Sequence, residues 1–215
     1  GNQSGELIAT SALANLKEKR GDFTEAEQMY RDILPLMRGV DVYSVYEIKV
    51  LLSLGELALK RNDLPESERL FRESLTLSRD IGVTSLEVSA SLQLGNILYK
   101  QDVHNDETDR LYRFCLPILS NMRFLKAMPG VYLPLHNIAK KRGDLAEAER
   151  LMQENLEVCR EIGDRGGEAD SLINLGNIMN SKGQYDEQRR MYTEAVRIRR
   201  EIGIPIDQWF IDNGY

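Results

Sequence analysis

Apolar positions along the chain recur every three or four residues, in runs several helical turns long, separated by short polar turns. Met29, Tyr30, Ile33 and Leu34 form one such run, and Leu70, Phe71, Leu75 and Leu77 a second. Leu151, Met152, Leu156 and Val158 form a later one, and Met191, Tyr192, Ala195 and Val196 the last. No convincing stretch alternates in the manner of a half-buried strand. The pattern predicts ten helices in pairs. First helices are expected near 4–20, 42–61, 84–101, 131–142 and 166–182, and second helices near 23–38, 64–81, 106–121, 145–162 and 185–202.

The pairs repeat. Leu13, Leu54, Leu94, Leu135 and Leu175 are spaced by 41, 40, 41 and 40 residues. The position after each holds Ala14, Gly55, Gly95, His136 and Gly176, and the third after each holds Leu16, Leu57, Ile97, Ile138 and Ile178. Second helices open on Asp22-Phe23, Asp63-Leu64 and Asp144-Leu145, each with a glutamate three residues after the aspartate, a pattern suited to capping a helix start. They close on Gly82, Gly163 and Gly203, where glycine supplies a left-handed cap. The units run 1–40, 41–82, 83–122, 123–163 and 164–203. Residues 204–215, which hold Trp209, Phe210 and Tyr215, read as a short capping helix or the start of a sixth unit. Short hairpins of this kind bury their apolar faces only by stacking, so an all-α solenoid is expected.

These blocks resemble tetratricopeptide repeats. The first helices carry Leu54-Gly55, Leu94-Gly95 and Leu175-Gly176, and the second helices pair Ala26 with Tyr30, Ser67 with Phe71 and Ala148 with Met152. The unit is about six residues longer than the common one, as in Pins-type scaffolds, kinesin light chains, the sensor arrays of signal-transduction ATPases and MalT-like regulators. The resemblance implies a right-handed superhelix of helical hairpins that binds a partner peptide or helix in a groove lined by first helices. Its alternative implication is a sensor module of a larger signalling ATPase or transcription regulator.

Charge and composition narrow the chemistry. A net charge of −6 leaves no basic excess for a phosphate-binding face, so no nucleic-acid partner is expected. No apolar run approaches a membrane span, and no secretory leader is expected from the first residues. With two cysteines, Cys115 and Cys159, read as core residues, a reducing cytoplasmic setting is expected. His104 and His136 stand without a second ligand at metal spacing, and no phosphate loop or nucleophile elbow occurs. Neither enzyme, cofactor nor metal is expected.

Two columns are candidates for contact with a protein or peptide partner. Asn15, Glu56, Asn96, Asn137 and Asn177 follow the small column, and an amide supplies donor and acceptor together. Two roles fit these residues: gripping an extended peptide, or bridging neighbouring repeats. Lys19, Lys60, Lys100 and Lys141 lie one turn on, at helix ends. There they meet an anionic ligand or offset the helix dipole.

The third unit breaks the pattern. Its turn, Asp102-Val103-His104-Asn105-Asp106, carries an extra residue, and its exit reads Asn121-Met122-Arg123-Phe124. In the fourth, Pro129, Gly130 and Pro134 predict a first helix that starts late or bends.

Overall fold

A computed structural model describes residues 3–101 and 106–215; His104 and its neighbours in the turn lie outside these. Among the described residues there is no strand. The main helices are α1 (Gln3–Arg20), α2 (Phe23–Met37), α3 (Ser44–Lys60), α4 (Leu64–Asp80), α5 (Thr84–Lys100), α6 (Asp106–Asn121), α7 (Pro129–Lys141), α8 (Leu145–Ile162), α9 (Arg165–Ser181) and α10 (Tyr185–Glu201), followed by a short α11 (Gln208–Asp212). Each helix pair falls inside one of the repeat intervals. The chain divides into two units, one through Phe114 and one from Cys115, each built of stacked helix hairpins.

In the first unit, Leu54 and Leu57 of α3 join one apolar cluster with Tyr30, Ile33 and Met37 of α2. α3 thus buries its anchor columns on the hairpin before it. Both columns are buried from α3 onward, whereas Leu13 and Leu16 of α1 are 48% and 53% exposed. In the second unit Leu135, Ile138, Leu175 and Ile178 are at most 2% exposed. Fully burying a leucine contributes about 2 kcal/mol.

The small column works by close approach. A Cβ built on Gly55 falls 2.5 Å from the Phe71 ring, and one on Gly95 falls 3.1 Å from Tyr112. Gly176 stands in the same relation to Tyr192. The fourth repeat solves the contact differently. His136 fills the small column, and flexible Met152 replaces the aromatic; both are buried. His136 Nδ1 donates to the Ala148 carbonyl at 3.1 Å, whereas in the second repeat Ser67 Oγ donates to the Gly55 carbonyl at 2.7 Å. Both bonds join the two helices of one hairpin at the same level.

Helix starts match the capping pattern in part. Asp63 accepts from the Glu66 amide at 3.2 Å and Asp144 from the Glu147 amide at 3.0 Å. Asp22 makes no such cap. Instead Lys17 reaches across the turn to Asp22 at 3.9 Å and Glu25 at 2.9 Å. Glu66 and Glu147 are engaged by Arg69 and Arg150, three residues on.

The fourth repeat's first helix starts late, as expected: α7 has 13 residues where α3, α5 and α9 have 17. α7 begins at Pro129 itself, after a 3-10 turn over Leu125–Ala127. Proline is well placed there because its missing N–H would have had no intrahelical partner. Pro134 does lie inside the helix. The exit of the third repeat also keeps the closing turn without its glycine. Arg123 adopts φ +58°, in register with Gly82, Gly163 and Gly203 at +71°, +72° and +72°. The Phe124 amide donates to the Leu119 carbonyl at 2.9 Å, as the Asp164 amide does to Cys159 at 2.8 Å.

Candidate functional site

The first-helix face of the first unit carries an open groove of about 520 Å³ between α1 and α3. Ile8, Ala12 and Leu16 form one wall, and Tyr46 with Ser53 forms the other. Buried Tyr30 from α2 supplies the floor, and Asn15 and Lys49 stand at the groove as polar groups. Burial raises the Tyr30 hydroxyl above the usual phenol range, and the neighbouring Glu18 carboxylate adds to this. The hydroxyl is shared among Ser53, Asn15 and Glu18, whose Oε2 accepts at 3.4 Å.

The second unit has a groove of about 250 Å³ at the corresponding level of α7 and α9. Pro129 and Leu133 line one side, with Asp170, Asn174 and the buried Asn155 and Ser171 opposite. Asn155 Nδ2 donates to Ser171 Oγ at 2.8 Å, and Ser171 Oγ donates to the Gly167 carbonyl at 2.8 Å. Arg199 Nη2 donates to Asp170 Oδ1 at 2.8 Å. The two grooves therefore differ in chemistry. Counted from the anchor leucine, Lys49 of the first corresponds to Asp170 of the second, and Ile33 corresponds to Asn155.

The asparagine column has a structural attachment in each unit. Tyr112 donates to Asn96 Oδ1 at 2.9 Å, and Tyr192 donates to Asn177 Oδ1 at 2.6 Å, within one hairpin in each case. Asn15 shares the Tyr30 hydroxyl in the first hairpin. Where the tyrosine becomes Phe71, the column holds Glu56, which accepts from Gln93 of the next first helix at 2.9 Å. Burial raises the Glu56 carboxyl above its ordinary value, partly offset by that bond. Asn137, opposite Met152, is half-buried. Asn15, Asn96 and Asn177 remain exposed despite these bonds, so their donors face solvent.

The lysines lie at first-helix ends and all four are exposed. Lys60 pairs with Glu18 of the preceding hairpin at 3.8 Å and sits 4.1 Å from the Phe23 ring centre. The next residue along behaves alike: Arg61 pairs with Glu27, and Lys182 with Glu149, each on the preceding second helix. Cations at these ends thus join neighbouring repeats. Burial pushes the Cys159 thiol up to about 11, which fits an unreactive core residue. Among the described residues no cluster of His, Cys, Asp and Glu is suited to a metal ion, and no helix is long and apolar enough to cross a membrane.

Asn15 is the sequence candidate that lines a groove, and the other polar lining residues were not among the candidates. Lys49, Ser53, Asn155, Asp170 and Arg199 occupy columns that differ from repeat to repeat. Ser53, for example, corresponds to Ala12, Gln93, Pro134 and Asn174.

The model of the tetratricopeptide repeat family matches residues 6–80 and 129–201, more than half of the chain. The chain belongs to the tetratricopeptide repeat family. A comparison with curated protein sequences finds no significant match. Solved structures with the same fold include BtubC from P. vanneervenii, with TM-score 0.73 and 19% identity over 96% of this chain and 80% of that one. A putative kinesin light chain from Podosopora anserina has TM-score 0.68 and 12% identity over 94% and 99% of the two chains. A signal-transduction ATPase with a tetratricopeptide repeat sensor from Pyrococcus horikoshii has TM-score 0.68 and 16% identity over 92% of this chain and 30% of that one. At these identities the likeness is one of fold.

Proposed function

We propose that this chain is a protein-binding scaffold, not an enzyme, and that it holds a peptide or helix of a partner protein against its first helices. The observation that carries this reading is the groove between α1 and α3. It is open, walled by Ile8, Ala12 and Leu16, and floored by the Tyr30 ring, with Asn15, Lys49 and Ser53 beside it. Apolar walls with a few fixed polar groups suit a ligand whose affinity comes from burial and whose orientation comes from hydrogen bonds. Lys49 favours a partner segment with a carboxylate near its apolar anchor. The polar lining around Asn155 and Asp170 suits a segment rich in hydrogen-bonding side chains. The exposed amides of Asn96 and Asn177 offer donors to a peptide backbone, a role separate from their bonds to tyrosine.

The test starts with peptides selected on this chain from a display library. Ser11→Trp, which fills the α1–α3 groove from its edge, is expected to weaken the selected peptide at least tenfold. Thr193→Trp, on the exposed face of α10, is expected to leave it unchanged. Equal binding by Ser11→Trp and the unaltered chain would remove the groove from the account.

A further inference from the structure

The α7–α9 groove presents acceptor oxygens that nothing in the chain fills. Ser171 Oγ gives its proton to the Gly167 carbonyl at 2.8 Å, so toward Asn155 it can only accept. Asn155 Nδ2 donates to it at 2.8 Å, which fixes the amide and leaves Oδ1 on its other side. That oxygen receives only a long contact from the Cys159 thiol, at 3.9 Å. Asn174 Nδ2 donates to the Asp170 carbonyl at 3.0 Å, and Asn174 Oδ1 has no donor among the described residues. Asp170 Oδ1 accepts from Arg199 Nη2 at 2.8 Å, and Asp170 Oδ2 has no partner among them. Asn155 is only 6% exposed, so an acceptor left open there is costly unless a donor reaches it.

The surroundings are acidic. Burial is the main reason that the Cys159 thiol is raised, and the carboxylates of Asp164, Glu168 and Asp170 each add to it. Glu168 is paired with Arg160 and Arg165, whereas Asp164 has no ion pair among the described residues. Arg199, the cation that lines the groove, is committed to Asp170 and Asp207, and its Nε is enclosed. Pro129, Leu133 and Ile173 supply apolar lining.

We propose that this groove takes an arginine side chain of the partner segment, with its stem on Leu133 and Ile173 and its guanidinium on the open oxygens of Asn155, Asp170 and Asn174. A guanidinium has five donors in one plane and no acceptor, so it can serve oxygens of α8 and α9 together. A lysine ammonium is more strongly hydrated and loses more on leaving water. At about 250 Å³ the groove is smaller than the roughly 300–1,000 Å³ of sites that enclose a whole small ligand, and it suits one long side chain. Residues that do not repeat build it. Counted from the anchor leucine, the first unit has Ile33, Tyr46 and Lys49 where Asn155, Gly167 and Asp170 stand here. A Cβ on Gly167 would fall 2.7 Å from Cys159 Sγ, so glycine is required there, and it keeps the groove open toward the buried Asn155 and Ser171.

The proposal rests on the reading that first helices hold a partner segment, and its test uses a single residue so that either can fail alone. N-acetyl-arginine N-methylamide is titrated into the whole chain, with amide chemical shifts followed at Gly167, Asp170, Ser171 and Asn174. Saturating shifts are expected at all four. The lysine analogue is expected to bind at least fivefold more weakly, and the citrulline analogue, which keeps the shape without the charge, not to bind. Asp170→Asn is expected to weaken the arginine probe at least fivefold. Asp170→Lys, which copies Lys49 of the first unit, is expected to abolish its binding with helix content intact, because the Asp170 side chain is 65% exposed. Asp186→Asn, on α10 outside the groove, is expected to change nothing. Three results would overturn the proposal: no shifts at the four amides, a citrulline probe that binds as tightly as the arginine one, or arginine binding that survives Asp170→Lys. A selected peptide that still occupies the α1–α3 groove would then leave the function proposed above standing.

Discussion

The hydroxyl of Tyr192, on the second helix of the last repeat, donates at 2.6 Å to Oδ1 of Asn177 on the first helix. Tyr112 and Asn96 repeat the contact at 2.9 Å in the third repeat. The asparagine thus fastens one helix of a hairpin to the other. Replacing Asn177 with Ala leaves a nearly buried phenol without its acceptor and is expected to cost about 1–2 kcal/mol. In a Tyr192→Phe background the same change is expected to cost less than half as much, since there is no hydroxyl left to strand. Thermal or urea unfolding of the four chains measures the coupling. Strictly additive costs would show that the bond contributes nothing.

The close approach of Gly55 to Phe71 sets a second expectation. Gly55→Ala places a methyl group 2.5 Å from the ring and is expected to destabilise by about 1–3 kcal/mol. Phe71→Leu in the same chain is expected to recover part of that loss. A stable Gly55→Ala chain would mean that the helices separate more easily than this packing implies.

Arg123 is the one residue of the closing turns at Gly82, Arg123, Gly163 and Gly203 that carries a side chain in the left-handed region. That conformation costs a non-glycine residue about 1–2 kcal/mol. Its ion pair with Glu161 is long, at 3.5 Å, and its side chain is 79% exposed, so it offsets little of this. Arg123→Gly is expected to raise the melting temperature by about 2–4 °C, the shift that 1 kcal/mol produces in a chain of this size. A lowered melting temperature would show that the turn is held by the arginine itself.

His136 predicts a dependence on pH. It is fully buried, its Nδ1 proton is committed to the Ala148 carbonyl, and its Nε2 has no partner among the described residues. Burial holds its pKa below the ordinary imidazole value, and Lys140 adds to the depression. As the pH falls below about 6.5, the unfolded chain takes up a proton at this residue and the folded chain does not. Stability therefore falls with acidification, by up to about 1.4 kcal/mol per pH unit, until the folded pKa is reached. His136→Asn is expected to have a shallower acid slope between pH 7 and the onset of carboxylate titration. Parallel slopes for the two chains would rule out this contribution.

How much of this was legible in the residues follows from what repeats and what does not. Leu54, Gly55 and Leu57 recur because every interface between hairpins needs them, so helix order and core columns could be read directly. Arg123 was harder to place, since the closing turn is a backbone conformation that glycine only makes easier. The late start of α7 was legible because Pro129 suits a first helical position and not the interior of a helix. The asparagines could be placed in a column, but their tyrosine partners lie about sixteen residues further on, in a column read only as core. Of the α1–α3 groove only Asn15 was named in advance as a contact residue. Tyr46, Lys49 and Ser53 also line it, and each repeat fills their columns differently. A search for periodicity passes over the positions free to meet a partner.

The most direct test of a partner held on the first helices is amide chemical-shift mapping of this chain as a selected peptide is added. The account predicts shifts concentrated at Ile8, Ser11, Asn15, Tyr46, Lys49 and Ser53, saturating together with the binding curve. Shifts confined to the outer faces of α2 and α4, with these six residues unmoved, would contradict it.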